Sequence, residues 1–354
     1  MHTARIDPTA TLLQNGKVLI AGGSNANGAL SEDIYASAEL YDPATGKFTK
    51  TGSMTAARVD QTATLLADGR VLIAGGIGCP DPAHCTGMTA STLQILASAE
   101  LYDPKTGKFS PTGSMTTPRH LATSTLLPDG RVLVAEGMPG PNQTADLYDP
   151  SSGRFARTGK ETGFDNANSV LLPTGKVLVT GGDIGDPPTG SIYDEASGQF
   201  TSVSFALAPG AAPSAQYSGQ PIDHAWPGPA VVLKDGRVLL FEGGNLETYD
   251  PTTGACVAAG FISPSSQWLA PTATLLTDGR VLYVGGFLEP DPSTEVITDL
   301  LILYDPSARN QTVGSMTTAR SDQTVTLLPD GSVLIAGGED ANYKPLASAE
   351  LFKP

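Results

Sequence analysis

One block returns seven times along the chain, and no other feature limits the fold so strongly. Its fullest form reads Thr-Ala-Thr-Leu-Leu-x-Asp-Gly-Arg-Val-Leu-x-x-Gly-Gly, with the valine at Val18, Val71, Val132, Val177, Val238, Val281 and Val333. A second block, Ala-Glu-Leu-Tyr-Asp-Pro-x-Thr-Gly-Lys-Phe, follows each copy. Its tyrosine stands at Tyr41, Tyr102, Tyr148, Tyr193, Tyr249 and Tyr304, with Phe352 in the seventh. A third block, Gly-Ser-Met-Thr-x-x-Arg, spans Gly52–Arg58, Gly113–Arg119 and Gly314–Arg320. Units of this kind bury their apolar sides by packing on their neighbours, so a period of roughly 50 residues implies one continuous assembly.

Each unit reads as four short strands. Strand a is Thr-Ala-Thr-Leu-Leu, strand b is Val-Leu-Ile-Ala, strand c carries Glu-Leu-Tyr and strand d carries the Phe. The a–b turn holds Asn15-Gly16, Asp68-Gly69, Asp129-Gly130, Asp235-Gly236, Asp278-Gly279 and Asp330-Gly331. These dipeptides are strong hairpin signals. Pro128 and Pro329 precede two of them; the fixed φ of proline suits position i+1 of a type I turn and leaves the Gly as a left-handed bulge. In the c–d turn, Asp-Pro-x-Thr-Gly, Pro opens the turn and Gly closes it. The sequence therefore predicts an all-β chain, a seven-bladed β-propeller of four-stranded blades in a single domain over 1–354. The units run approximately 1–54, 55–115, 116–159, 160–205, 206–262, 263–316 and 317–354. The final Leu351-Phe352-Lys353-Pro354 stops after strand c, so the last blade is expected to lack its outer strand, or the chain to be trimmed from a longer secreted precursor.

The Gly-Gly after strand b, the Tyr-Asp of strand c and the aromatic of strand d resemble the kelch repeat, and the resemblance covers the whole chain. It implies a propeller of the galactose-oxidase-like superfamily, whose members are mostly binding platforms and in part enzymes. One departure is that the strand-d Trp of kelch units is Phe here (Phe48, Phe109, Phe155, Phe200), with Cys256 in that place in the fifth unit. Cys256 is expected as a small buried apolar residue. The copper enzymes of this superfamily use Tyr and His ligands. The four histidines here, His2, His84, His120 and His224, form no Tyr-His pair, so copper-radical chemistry is not expected, and neither is any other cofactor or metal.

Lys plus Arg total 21 and Asp plus Glu total 36, a net charge of −15. This counts against nucleic acid as a partner, which needs clustered positive charge, and against an anionic membrane surface. No apolar run approaches the ~18 residues of a membrane span. No basic stretch followed by an apolar run opens the chain, so no signal peptide is visible. Cys79 and Cys85 lie in Cys-Pro-Asp-Pro-Ala-His-Cys. A disulfide pinning that loop implies an oxidising, extracellular or cell-surface setting; a zinc site is the lesser alternative, because the spacing is not that of known zinc signatures.

Strand a runs from the Arg towards the Asp-Gly turn and strand b runs back, which puts the Arg and the Gly-Gly on one face. Insertions at Ile77–Ala97, Thr201–Gly228 and Phe287–Asp299 fall on that face. Variable loops on a rigid repeat are where binding usually sits. A column there holds Arg5, Arg58, Arg119, Phe164, Ala225, Trp268 and Arg320. Two residues on, it holds Asp7, Asp60, Leu121, Asn166, Pro227, Ala270 and Asp322. Units seven, one and two share Arg-x-Asp, while units four to six bring Phe164, His224-Ala-Trp226 and Trp268. Either each Arg pairs with an acid and holds blades together, or guanidinium groups and rings line a pocket for carboxylate or hydroxyl groups. Glu136 and Glu242 replace the first Gly of Gly-Gly in units three and five. Each is either an ion-pair partner or half of a general acid/base pair facing a sugar, although the two units are not adjacent.

The reading that follows is a non-enzymatic binding module for a protein or glycan on the Arg face. Its ligand residues would be Arg5, Arg58, Arg119, Arg320, Asp7, Asp60, Asp322, Phe164, His224, Trp226 and Trp268. The alternative is a sugar-processing enzyme of epimerase or lyase type, using Arg58, Arg320 and a carboxylate.

Overall fold

The computed structural model describes residues 1–25, 33–79, 93–138, 144–160, 167–181, 189–205, 228–262, 267–291 and 294–354. The elements among them are all strands. The first unit sets the pattern. β1 (Thr9–Leu12), β2 (Val18–Ala21), β3 (Ala38–Asp42) and β4 (Lys47–Lys50) form an antiparallel sheet in that order. Val18 pairs with Tyr41, and Tyr41 in turn pairs with Phe48. Burial falls outward along this order. β2 is buried throughout and β4 is mostly exposed, as expected when both faces of an inner strand are covered by neighbouring sheets.

Five more four-stranded sheets repeat this order, and a three-stranded sheet of Thr324–Leu327, Val333–Ala336 and Ala349–Phe352 follows them. The a–b turns close as the sequence predicts. Gly16 (φ +80°) donates its N–H to the Leu13 carbonyl at 2.9 Å, and Leu13 N–H reaches the Lys17 carbonyl at 2.8 Å. A side chain at Gly16 would strain this left-handed backbone.

The first strands line the middle of the molecule. β1 packs beside Thr62–Leu65 and beside Thr324–Leu327. The succession runs on through Thr123–Leu126, Ala167–Leu171, Ala230–Val232 and Thr272–Leu275. The result is an all-β, propeller-like fold. Apolar clusters fill the gaps between sheets. Leu13, Leu19 and Ala21 meet Val71, Ile73 and Tyr102 of the second unit, while Val18, Ile20 and Tyr41 meet Leu328, Leu334 and Ala336 of the last. In four units the second Gly of the pair adds a backbone link. Gly23 N–H donates to the Arg58 carbonyl at 2.9 Å, and Gly338 N–H donates to the Arg5 carbonyl at 2.8 Å across the first and last units.

Two insertions correct the expectation of irregular loops. Ile77–Cys79 pairs with Ala57–Val59 and with Gln94–Ile95, and Phe287–Asp291 pairs with Gln267–Leu269 and Thr294–Ile297. The residues around Arg58 and Trp268 form a strand edge, and these insertions pair with it. Cys79 is disulfide-bonded, and Cys85 lies outside the described residues. Cys256 is a free, buried thiol whose S–H donates to Glu247 Oε2 at 3.2 Å.

Candidate functional site

The four arginines do not face a ligand. Arg5, Arg58, Arg119 and Arg320 are each 0% exposed. Arg58 Nη1 donates to the carbonyls of Gly75 and Ser98, both at 2.9 Å. Its Nη2 donates to Ser98 Oγ at 2.8 Å and to Glu100 Oε1 at 3.3 Å. Arg5 repeats this with Gly22, Ser37 and Glu39, and Arg320 with Gly337, Ser348 and Glu350. Arg119 uses the carbonyls of Glu136 and Thr144, with Asp146 at 3.8 Å. The carboxylates are held in turn: Glu100 accepts the N–H groups of Thr55 and Ala56. Each network stays largely within one unit and welds the start of strand a to strands b and c. This corrects the pocket reading of the arginines, because desolvated and bonded guanidinium groups are part of the scaffold.

Trp268 stands in the same column and is also 0% exposed, against Phe241 and Tyr283. It is core and not a stacking surface. Phe164, His224 and Trp226 lie outside the described residues. Glu136 is 1% exposed with a left-handed backbone (φ +59°), and its carbonyl serves Arg119. It therefore belongs to the scaffold of unit three. The backbone of Glu242 ends the strand Val238–Glu242 in unit five. The Glu242 side chain lies outside the described residues.

The second column behaves differently. Asp7, Asp60 and Asp322 are half-buried, with left-handed φ of +49°, +55° and +54°. Leu121 (+53°) and Ala270 (+47°) share that conformation. The strain recurs at this repeat position in these five units, and it presents whichever side chain stands there in the same way. Asp7 N–H donates to the Asp322 carbonyl at 3.3 Å, and Leu121 N–H donates to the Asp60 carbonyl at 3.2 Å. Three aspartates of neighbouring units therefore gather on the Arg face. Burial, then Asp322, Asp60 and Glu339, raise the Asp7 carboxyl well above the usual range. Burial, then Asp60 and Glu295, push Asp322 up to about 6, against a bond from Ser321 that lowers it.

His120 completes the group. Its ring is nearly buried, and Nδ1 lies 3.5 Å from Asp60 Oδ2 without a hydrogen bond. Main-chain bonds to Met138, at 3.2 and 3.0 Å, fix it. The sequence reading counted His120 among the histidines and did not place it in the site. Its signal is adjacency, since Arg119-His120-Leu121 stands where units seven, one and two carry Arg-x-Asp.

No protein-family model matches the chain, and no curated protein sequence matches it. Many solved structures share its fold. One is a fungal alcohol oxidase of the AA5 family in complex with copper, at a TM-score of 0.70 and 16% sequence identity, covering 99% of this chain and 74% of that one. At that identity the likeness is one of fold, and it supports the all-β, propeller-like architecture. It corrects the reading of a non-enzymatic binder with copper oxidase chemistry set aside, because a structure of this architecture is itself a copper alcohol oxidase. Among the described residues no group of three or more His, Cys, Asp or Glu is placed to hold a metal ion.

Proposed function

We propose that the chain is an enzyme acting on a hydroxylated small molecule of the alcohol class, with its reaction site around Asp7, Asp60, Asp322 and His120. One observation carries the reading: three aspartates at one repeat position of neighbouring units lie near enough to act on one another's charge, Asp60 stands 3.5 Å from a nearly buried histidine, and Asp322 is pushed up to about 6. A carboxyl near its midpoint at mildly acidic to neutral pH both gives and takes a proton readily. Asp60 Oδ2 stands 3.5 Å from Nδ1 of His120, which sets a carboxylate beside an imidazole at the site. These residues supply the proton handling that conversion of an alcohol requires. The scaffold around them reads as seven kelch-type blades in one domain over 1–354, supported by seven repeat units whose first strands lie side by side. The disulfide at Cys79 favours an extracellular setting, and no helix among the described residues is long and apolar enough to cross a membrane.

The test is oxygen uptake and peroxide release over a panel of primary alcohols and sugars, with and without added Cu(II). Turnover is expected, reduced roughly 10²-fold or more in Asp322→Asn and in His120→Gln. Absence of turnover by the folded protein under both conditions overturns the proposal.

A further inference from the structure

Positive charge is sorted by face. Six of the seven a–b hairpins, all opposite the Arg column, place a cation directly before strand b: Lys17, Arg70, Arg131, Lys176, Arg237 and Arg280. Each reaches solvent beside an aspartate of its own hairpin or of a c–d turn. The Arg face differs. Its four column arginines are buried in the scaffold. The insertions 77–97, 201–228 and 287–299 hold six Asp or Glu and no Lys or Arg. Such an arrangement draws cations towards one end of the molecule and raises their local concentration there.

The charges acting most on the aspartate group share one sign. Asp322, Asp60 and Glu339 act on Asp7, and Asp60 and Glu295 act on Asp322. Glu295 comes from the inserted strand Thr294–Ile297 of unit six, so four units contribute carboxyls. An independent feature lies beside them. Nδ1 of His120 is enclosed, with 8% of the side chain exposed, and makes no hydrogen bond. It stands 3.5 Å from Asp60 Oδ2. A buried ring nitrogen without a bond is uncommon and calls for a partner. With the ring proton on Nε2, Nδ1 and the Asp60 carboxylate are two acceptors side by side. One alcohol hydroxyl has a single proton and serves one of them. An ammonium group has three N–H donors and serves both, and its charge offsets that of the carboxylates.

We propose that the molecule this site takes is an amino alcohol or amino sugar, its ammonium group held between Asp60 and Nδ1 of His120. The inference rests on the reaction site proposed above and narrows its substrate. Asp60, 18% exposed, is reached first, and a turn of the His120 ring brings Nδ1 to the same donor. Asp322 is left for the hydroxyl proton. A pH dependence follows from Asp322 and the groups around it, Asp7, Asp60, Glu295 and Ser321. A bound cation favours ionised carboxylates. Binding should therefore strengthen between pH 5 and pH 7, as Asp322 gives up its proton at about 6.

The probe is 3-amino-1-propanol, with 1-butanol as its uncharged match in length, each titrated against the full chain by ligand-observed NMR. At pH 7 the amine is expected to bind about tenfold more tightly than 1-butanol, or better, and several-fold more tightly than it does at pH 5. Asp60→Asn removes a charge with little change of shape, and Asn tolerates the left-handed backbone found there. It should weaken the amine about tenfold. Asp68→Asn, in an exposed hairpin of the opposite face, controls for general attraction to an acidic protein and should change nothing. Equal affinity for amine and 1-butanol overturns the inference, as does an Asp60→Asn protein that binds the amine no worse than Asp68→Asn. If alcohols still release peroxide in either case, the enzyme reading survives. Binding of the amine as expected, with no turnover of any alcohol, overturns the enzyme reading and leaves the ammonium site in place.

Discussion

The indole N–H of Trp268 donates to the carbonyl of Gly285 at 2.7 Å, 17 residues further on. Arg5, Arg58 and Arg320 donate to Gly22, Gly75 and Gly337 across the same interval, and Arg119 to Glu136. The surroundings change with the donor. Beside the arginines stand Ser37 and Glu39, Ser98 and Glu100, Thr144 and Asp146, Ser348 and Glu350. Beside Trp268 the equivalent third-strand positions are Leu300 and Ile302, both buried in its apolar cluster. One backbone carbonyl is thus satisfied by two chemistries, each with its own matched set.

A swap of donor without its set should therefore fail. Trp268→Arg buries a guanidinium with no carboxylate, a change of about 3–5 kcal/mol. Adding Leu300→Ser and Ile302→Glu supplies the set, and should recover at least half of that loss in urea denaturation. A triple variant no more stable than Trp268→Arg would show that the match between donor and surroundings is incidental.

Arg58→Ala should act on stability before it acts on any ligand. It leaves the buried Glu100 carboxylate without its cation, at a cost of about 3–5 kcal/mol. Glu100→Ala should be comparably costly, and the double variant should lose less than the sum of the two, because they share one network. Lys108→Ala, on an exposed outer strand, should stay within about 0.5 kcal/mol of the parent. Thermal and urea unfolding of the four proteins decides the matter.

Much of the fold was legible because the repeat states its own turns. Gly16 and its counterparts sit in the left-handed region that the Asp-Gly dipeptides announce. The roles of the arginines were also written in the sequence, in a correlation between positions far apart along each unit. An Arg occurs only where Ser or Thr and then an acid stand four and two residues before the third-strand aromatic. Reading one column at a time hid this. The gathering of Asp7, Asp60 and Asp322 was legible as a shared repeat position. Its chemistry was not, because a raised carboxyl depends on burial and on charges such as Glu339 and Glu295, which only the folded chain brings near. His120 escaped notice because it breaks the Arg-x-Asp pattern.

Cys256 should be inert until the chain unfolds. Its thiol is buried and pushed up to about 12, first by burial and then by Glu247. The thiolate is the reactive form, so little of it exists at neutral pH. Iodoacetamide at pH 8 without reductant should leave Cys256 unmodified in the folded protein and label it in denaturant, as read by mass spectrometry. Rapid labelling of the folded chain at Cys256 would refute the assignment.

The aspartate group should leave a signature in the pH dependence of stability. Asp322 holds its proton to about pH 6 in the folded chain, against 3.8 for an ordinary aspartate. Between those values the folded state binds more protons than the unfolded state, so stability falls as pH rises from about 4 to about 6 and levels off above. The carboxylate is thus a net cost at pH 8 and none below pH 4. Asp322→Asn removes the charge with little change of shape. It should stabilise the protein at pH 8 by the order of 2 kcal/mol, the worth of the shift after allowance for its partial exposure. The gain should vanish below pH 4, while turnover of the alcohol substrate falls. Asp7 is raised in part by Asp322, so it titrates lower in this variant and adds to the gain. Urea denaturation of both proteins at pH 4, 6 and 8 gives the comparison. An equal difference in stability at all three values would mean that Asp322 does not carry a raised carboxyl, and the proposed site would lose its proton donor.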